Sequence, residues 1–492
     1  YGIELDEFAQ ETAILSLWLA EHQMNTHFSK EFHISVPALP LHASGHIVHG
    51  NACRLDWNVV CPHFAEDEVY IMGNPPYLGS KLQSEEQRDD MKIALDEIKE
   101  YKSLDYIAAW FYKGAKYIKD QRAKLAFVST NSICQGEQVA MLWQHIYKMD
   151  ATIFFAYTSF KWGNNAKYNA GVTCAIIGLS NNYKGSRRLY NADNYASVPN
   201  INPYLTSGNN IIVAKSTSIP FGYPKMCFGC MPYDNGNLIL SSLERDDFIN
   251  TYPNDADLVK QLIGSLEFIR GESRYCFWIS NSDLPRANLN PYIRERINKT
   301  KEFRLYTCKD KAAGAELAER AHQFREFINT TDSIIVPRVS SERREYIPMG
   351  FMDAGTIISD SAFAIYDAQV WLFGILTSKM HLAWVKAVGG KLEERIRYSA
   401  TLCYNTFPFP KINKDQQEEV ERYAEEVLLT REDFPELTLA QLYDPEKMPQ
   451  SLRDAHRSLD LAVERCYRSE PFTSDEERLE HLFRLYEKMT KK

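Results

Sequence analysis

Between Val69 and Ile177 the chain alternates strand-like apolar runs with helical stretches, and then the alternation stops. The runs Val69–Met72, Lys124–Val128 and Thr152–Ala156 are separated by the helical stretches Leu104–Ile118 and Gln138–Lys148. Alternation of this kind predicts a mainly parallel sheet with helices on its faces. Before the next run, Gly171–Ile177, only about a dozen residues rich in Gly, Asn and Lys intervene, too few for a crossover helix. The last two strands are therefore expected to pair antiparallel. The opening Tyr1-Gly2-Ile3-Glu4-Leu5-Asp6 reads as the end of a further strand entering a helix from Glu7 to about Gln23, with Phe8, Ile14, Leu15, Trp18 and Leu19 near one face. A sheet met in mid-course suggests a fragment whose first strand is partly missing.

With 492 residues the chain exceeds what one core organises, so two or three domains are expected. At 45% hydrophobic and 25% charged residues it is neither fibrous nor largely disordered. No apolar run reaches bilayer length and no secretory leader opens the chain, so it reads as cytoplasmic, without a membrane partner. Past Ser180, clusters of Asn, Ser, Gly and Pro break short β-like pieces such as Tyr275–Ile279 and Ile334–Pro337, the texture of a second, mixed α/β domain. The last 82 residues, rich in Glu, Leu and Arg and punctuated by Pro435, Pro445, Pro449 and Pro471, read as several short helices. The expected divisions are 1–185, 186–410 and 411–492.

The net charge of −9 does not advertise a nucleic-acid binder, but the charge is unevenly spread. Arg270 to Tyr346 carries 15 Lys and Arg against 11 Asp and Glu, whereas Lys411 to Lys492 carries 14 against 20. A polyanion would therefore meet the middle of the chain. There Arg338, Arg343 and Arg344 cluster beside Ser340 and Ser341, and Lys391, Arg395 and Arg397 follow Gly389-Gly390, offering phosphate or guanine contacts. The alternative for each is a solvated face with intramolecular ion pairs.

Asn74-Pro75-Pro76-Tyr77 directly follows the strand Val69–Met72, at the edge where open α/β sheets bind ligands. Alkylating a weakly basic amine needs a pair of acceptors that hold its hydrogens and aim its lone pair. The Asn74 amide oxygen and the Pro75 carbonyl suit that task. The two prolines stiffen the turn, and Tyr77 offers a flat face for a base. A plain proline turn with Tyr77 covering the core is the bland alternative. Glu4, at the end of the preceding strand, is placed to accept two ribose hydroxyls, and Asp56 to accept from an adenine amino group; each could equally be a solvated carboxylate. His42, His46, His49, Cys53, Cys61 and His63 crowd one stretch, but Pro37, Pro40 and the glycines at 45 and 50 disfavour a ligand-bearing helix. No metal site is expected, and the lone pair Cys227 and Cys230 has no second pair to complete one.

A parallel sheet closed by an antiparallel last strand is the architecture of class I methyltransferases. The order Gly2-Ile3-Glu4, Leu55-Asp56-Trp57, Asn74-Pro75-Pro76-Tyr77, the runs Leu104 to Phe111 and Phe127 to Gln138, and Phe160-Lys161-Trp162 resembles the gamma-class DNA adenine-N6 methyltransferases. With Met231-Pro232, Ser340 to Pro348 and Tyr398 to Pro410, it more closely resembles the MmeI-like (type IIL) restriction–modification enzymes, over nearly the whole chain. The resemblance implies a site-specific DNA adenine-N6 methyltransferase that uses S-adenosylmethionine (AdoMet), with double-stranded DNA as partner and a possible upstream nuclease. It implies cofactor contacts from Glu4 and Asp56, with Asp105 and Tyr106 near the cofactor. It implies Asn74, Pro75, Pro76 and Tyr77 around a flipped adenine, with Phe160 or Trp162 as a second aromatic wall. Both of those aromatics could instead belong to the hairpin core.

One feature of such enzymes is missing, because the chain contains no Gly-x-Gly with which a turn could approach the methionine half of AdoMet. The expectation is thus a class I methyltransferase sheet incomplete at its N-terminus, then a recognition domain and a helical tail, weakly active or inactive by itself. A protein glutamine N5-methyltransferase and a non-catalytic DNA-specificity module are the competing readings.

Overall fold

The computed structural model describes residues 1–34, 46–64, 66–161, 173–181, 183–191, 194–220, 222–328, 330–392 and 394–491. The chain divides into two compact units, Tyr1–Val213 and Ala214–Lys492.

The first unit opens with β1 (Gly2–Glu4), α1 (Glu7–Phe32) and β2 (Ile47–His49), and β1 pairs with β2 in parallel. Asp6 starts α1 by accepting the Ala9 N–H. No Gly or Pro interrupts the residues after Gln23, so the helix runs to Phe32, beyond the expected end, until His33 takes a left-handed cap. Its apolar residues are not packed away: no residue of α1 is buried. The short α2 (Trp57–Val60) then leads to β3 (Val69–Gly73), α3 (Glu85–Ala94), α4 (Ala108–Tyr117), β4 (Ala123–Thr130), α5 (Glu137–Lys148), β5 (Ala151–Lys161), β6 (Thr173–Asn181), β7 (Arg187–Asn191) and β8 (Asn194–Val198). α4 starts four residues later than its apolar pattern suggests because a 3-10 turn, Tyr101–Ser103, and an extended Leu104 precede it.

The main sheet has the order β3-β4-β6-β5-β7-β8. β3 and β4 are parallel, while β6 runs antiparallel to both β4 and β5, as the short connection before it demands. β5 also pairs in parallel with β7, which carries β8 antiparallel, so the sheet continues past Ser180. Leu125, Phe127, Ile153, Ile177 and Leu179 fill its core with Trp143 and Ile146 of α5.

In the second unit one four-stranded sheet takes the order Ile239–Leu240, Tyr275–Phe277, Val259–Ile263, Thr356–Ile358. Another takes the order Gly350–Met352, Ser333–Pro337, Ala362–Tyr366, Met226–Phe228. A three-stranded sheet joins Val339–Ser340, Arg395–Arg397 and Gly390–Leu392. The C-terminal region is helical, as Lys414–Glu432, Leu439–Leu442, Gln450–Arg465 and Asp475–Thr490. Three of these exceed the short helices expected, since the prolines fall between them and not within them. Among the described residues, no helix is long and apolar enough to cross a membrane.

Candidate active site

The site is built at the carboxyl end of β3, where the strand hands over to Asn74-Pro75-Pro76-Tyr77. Pro75 is buried there, while Asn74 and Pro76 are exposed. Leu78 anchors the turn: its N–H donates to the Asp105 carboxylate at 3.0 Å, and its carbonyl accepts from the Tyr106 N–H at 3.0 Å. The buried Gln83 amide donates to the same carbonyl at 3.0 Å and to that of Leu104 at 3.1 Å. Asp105 is held in turn, donating its N–H to Gln138 Oε1 at 3.0 Å and accepting from the Ser132 hydroxyl at 3.2 Å. Burial pushes its carboxyl above the ordinary range, against the hydrogen bonds from Ile107 and Leu78 that favour the charged form.

Tyr77 is half-buried, with its phenol beside the Cys174 thiol. Burial, and then Cys174, raise the phenol above its ordinary range. Cys174 stands opposite Phe160 in the β5–β6 ladder. Cross-strand partners share a face, so the Phe160 side chain lies on the face of β6 that carries Cys174. Trp162 lies outside the described residues.

Beside the turn opens a cleft of about 1250 Å³, with Glu4, Trp57, Asn74, Pro75, Pro76 and Tyr106 in its walls. Of the four residues that the resemblance places at the cofactor, Glu4 and Tyr106 line this cleft, whereas Asp56 does not and Asp105 faces the backbone of Leu78. Glu4 folds back, its Oε1 accepting from the N–H groups of Leu5 at 2.9 Å and Asp6 at 3.4 Å. Asp56 caps α2, accepting the Asn58 N–H at 2.9 Å, and it is Trp57 of that helix that lines the cleft.

The loop that carries Asp56 is pinned from two sides. Lys113 of α4 donates to the carbonyls of Cys53 at 2.9 Å and Leu55 at 2.6 Å, and Tyr117 to that of Cys61 at 2.8 Å. From α3, the buried Asp90 accepts from Arg54 Nε at 2.6 Å, the Tyr106 hydroxyl at 2.7 Å and Asn51 Nδ2 at 2.9 Å. Burial works to raise the Asp90 carboxyl, but those three donors outweigh it and hold it below the usual range. Sequence reasoning passed over Asp90 because it sits in the charged run Glu85 to Asp90, which reads as a solvated helix face. Gln83 left a fainter trace, since Ser84 after it forms a capping box with Gln87 and marks where α3 must start.

In the second unit the fold brings both basic runs together. Val339 pairs with Arg397, Gly390 pairs with Arg397 from the other side, and the Tyr398 N–H donates to the Arg338 carbonyl at 2.9 Å. Arg395 and Arg397 are exposed on either side of the buried Ile396. Arg338 lies over the rings of Phe228 and Phe363, 5.0 and 5.7 Å from their centroids, and donates to the Asp360 carbonyl. Arg343 pairs with Glu446 at 2.5 Å. Arg344 and Lys391 are half-buried, and burial lowers both below their ordinary ranges. Among the described residues, no group of three His, Cys, Asp or Glu side chains is placed to hold a metal; His42 lies outside them.

Three family profiles match in succession: the MmeI DNA-methyltransferase domain over residues 1–191, the MmeI target recognition domain over 207–411, and the MmeI C-terminal domain over 412–492. The chain belongs to the MmeI family. It is 48% identical over 495 residues to a Bacillus subtilis (strain 168) protein named DNA methyltransferase A, covering 100% of this chain and 56% of that relative. It superposes with a TM-score of 0.87 and 37% identity on the type IIL restriction–modification enzyme MmeI solved in complex with DNA, covering 100% of this chain and 66% of that one. The chain thus spans between about half and two thirds of the length of these MmeI relatives. Its first unit has the class I methyltransferase arrangement, a parallel sheet closed by the antiparallel β6.

Proposed function

We propose that this MmeI-family chain is the methyltransferase and target-recognition part of a restriction–modification polypeptide, moving a methyl group from AdoMet to the N6 amine of an adenine flipped out of duplex DNA. The observation that carries this reading is the clamped Asn74-Pro75-Pro76-Tyr77 turn opening on a cleft that also holds Glu4. The amino nitrogen of a paired adenine is engaged and stacked, so the base must leave the helix to reach the turn. Asn74 Oδ1 and the Pro75 carbonyl then accept the two amino hydrogens, which raises electron density on nitrogen and points its lone pair into the cleft. Tyr77, whose phenol interacts with Cys174, and Phe160, the ladder partner of Cys174, are the walls between which the base stacks.

The cleft fits the adenosine half of the cofactor in the chemistry of its donors. Glu4 sits at a strand's carboxyl end, suited to a ribose diol, and Trp57 and Tyr106 offer aromatic surface to a nucleobase. Asp56 at the start of α2 is the acceptor for its amino group. When bound, AdoMet supplies a methyl group on a sulfonium, electrophilic enough for a weak amine.

Duplex DNA is favoured over a protein glutamine by the exposed Arg395 and Arg397, set side by side on one strand with the Arg338 backbone next to them. The test is transfer from labelled AdoMet to duplex DNA by the polypeptide as encoded. Asn74→Ala should lower the rate by about two to three orders of magnitude, the typical cost of one preorganised polar partner, and leave DNA affinity intact. Undiminished methylation by that variant would overturn the assignment.

A further inference from the structure

Arg395–Arg397 is the middle strand of three, with Val339–Ser340 on one side and Gly390–Leu392 on the other. Strands this short hold few ladder bonds of their own, so whatever fixes the two outer strands also fixes the arginines between them. The chain leaving Val339–Ser340 reaches Tyr346, whose hydroxyl donates to Asp460 Oδ2 at 2.7 Å. The chain entering Gly390–Leu392 comes from the helix Lys379–Val388, and the N–H of Lys379, the first of that helix, donates to Asp460 Oδ1 at 2.7 Å. Each oxygen of one carboxylate thus holds one flank of the sheet.

Asp460 belongs to the C-terminal helix Gln450–Arg465 and is buried, as are Tyr346 and His456, which lies one turn earlier on that helix and stacks on the Tyr346 ring with centroids 4.0 Å apart. Packing alone does not call for a charge here, because burying a carboxylate is costly and an apolar side chain of similar size fills the same space more cheaply. What the carboxylate adds is direction. Its two hydrogen bonds fix where two elements stand, and its charge meets the positive pole of the helix Lys379–Val388. Neighbouring contacts repeat the pattern. Arg453 of the same C-terminal helix pairs with Glu345 at 2.7 Å, and Arg431 donates to the Met349 carbonyl at 2.6 Å. On the other flank, His381 of the helix Lys379–Val388 lies 2.8 Å from the hydroxyl of Tyr398, the residue after Arg397.

We infer that Asp460 and Tyr346 are positioning residues for sequence recognition: through this carboxylate the C-terminal helical region sets how Arg395 and Arg397 meet the bases of duplex DNA. The inference rests on the reading of Arg395–Arg397 as a DNA-contacting strand, and it is independent of methyl transfer. Attraction to a phosphate backbone is long-ranged and tolerates a small displacement of the strand. A guanidinium that donates two hydrogen bonds to one base does not tolerate it. Loosening the grip of Asp460 should therefore cost discrimination between sequences and leave general affinity for DNA in place.

Random duplexes are enriched on the polypeptide as encoded, and affinities are measured for the enriched sequence and for a scrambled one, at about pH 8, above the value of about 7 to which burial raises Asp460. Tyr346→Phe keeps the ring on His456 and loses the hydroxyl. It should lower the ratio of the two affinities about tenfold, within the range of one arginine–base contact, and leave the scrambled affinity within about twofold. Asp460→Asn should act in the same direction. Added to Arg397→Ala, Tyr346→Phe should lower the ratio little further, because the tyrosine acts through that strand. Glu464→Gln is the control, since it breaks the 2.6 Å ion pair with Arg478 on the same helix as Asp460, and it should lower the melting temperature while leaving the ratio unchanged. An unchanged ratio in both Tyr346→Phe and Asp460→Asn would overturn the inference, as would an equal fall in Glu464→Gln. Arg397→Ala tests the reading beneath it: an unchanged ratio there removes the reading and the inference together, whereas a fall there without one in Tyr346→Phe and Asp460→Asn removes the inference alone.

Discussion

At the scale of single residues, the candidate site depends on side chains that never touch a ligand. Gln83 is the clearest case, one amide answering the two carbonyls of Leu78 and Leu104. Gln83→Leu keeps the volume, strands the Leu104 carbonyl and leaves that of Leu78 with the Tyr106 N–H alone, which should cost about 1–3 kcal/mol of stability. A urea titration checks that cost, and under the proposed chemistry transfer should slow while DNA affinity holds. Asp90 acts similarly on the loop from Asn51 to Asp56. Its carboxyl lies below its ordinary range when folded, so its contribution is present at neutral pH and is lost as pH falls through the folded value. Asp90→Asn should therefore lower the melting temperature at pH 7 and narrow the gap from wild type in strong acid. Neither residue could be picked out from the sequence, because a glutamine before a cap and an aspartate in a charged helix look the same whether or not the fold buries them.

Among elements, the second unit depends on Arg304, which is fully buried in the π-helical turn Phe303–Thr307. Its guanidinium donates to the carbonyls of Pro232 (3.1 Å), Tyr233 (2.9 Å), Leu317 (2.8 Å), Arg320 (3.0 Å) and Gln323 (2.7 Å). A cation among carbonyls at the end of the helix Lys311–Ala318 also meets that helix's negative pole. Burial still lowers the guanidinium to about 10. Arg304→Lys keeps the charge but offers three donors to five acceptors, so it should destabilise by about 2–4 kcal/mol, measured by chemical denaturation. The strand Arg395–Arg397 supplies a functional counterpart. Arg395→Glu with Arg397→Glu should weaken duplex binding and flatten its salt dependence, since each lost phosphate contact removes roughly one ion from the slope. Arg343→Glu should do less, since it reverses one charge instead of two. The basic runs were legible as runs, but which arginines stay exposed is a matter of strand alternation and of partners more than fifty residues away.

For the whole molecule, acid should act through two buried histidines. His381 and His456 are fully buried, each within 2.8 Å of a tyrosine hydroxyl, Tyr398 and Tyr443 respectively. Burial lowers His381 to about 3 and His456 well below its ordinary value. Both bind protons more readily unfolded, so their contribution is complete above about pH 6.5 and is lost progressively below it. Asp460 has the opposite sign: burial raises it to about 7, so its contribution is lost as pH rises through that value. His322, also buried and lowered by burial, adds to the same side as the other histidines, so the balance predicts a melting temperature that falls below about pH 6.5. His381→Gln should flatten that fall, and Asp460→Asn should steepen it. What the sequence determined by itself was local: the strand–helix alternation, the antiparallel β6 imposed by a short connection, and the Asn74-Pro75-Pro76-Tyr77 turn at a strand's end. Each rests on periodicity or turn chemistry that a few neighbouring residues contain. Only the tertiary structure decided that Asp105 would clamp Leu78, that Phe160 would stand opposite Cys174, that Arg397 would lie beside Val339, and that β1 and β3 would line one cleft. Those pairings join residues far apart in the chain, and hydrogen-bond partners and burial are set by which surfaces the fold brings within about 3 Å, information that local periodicity does not carry.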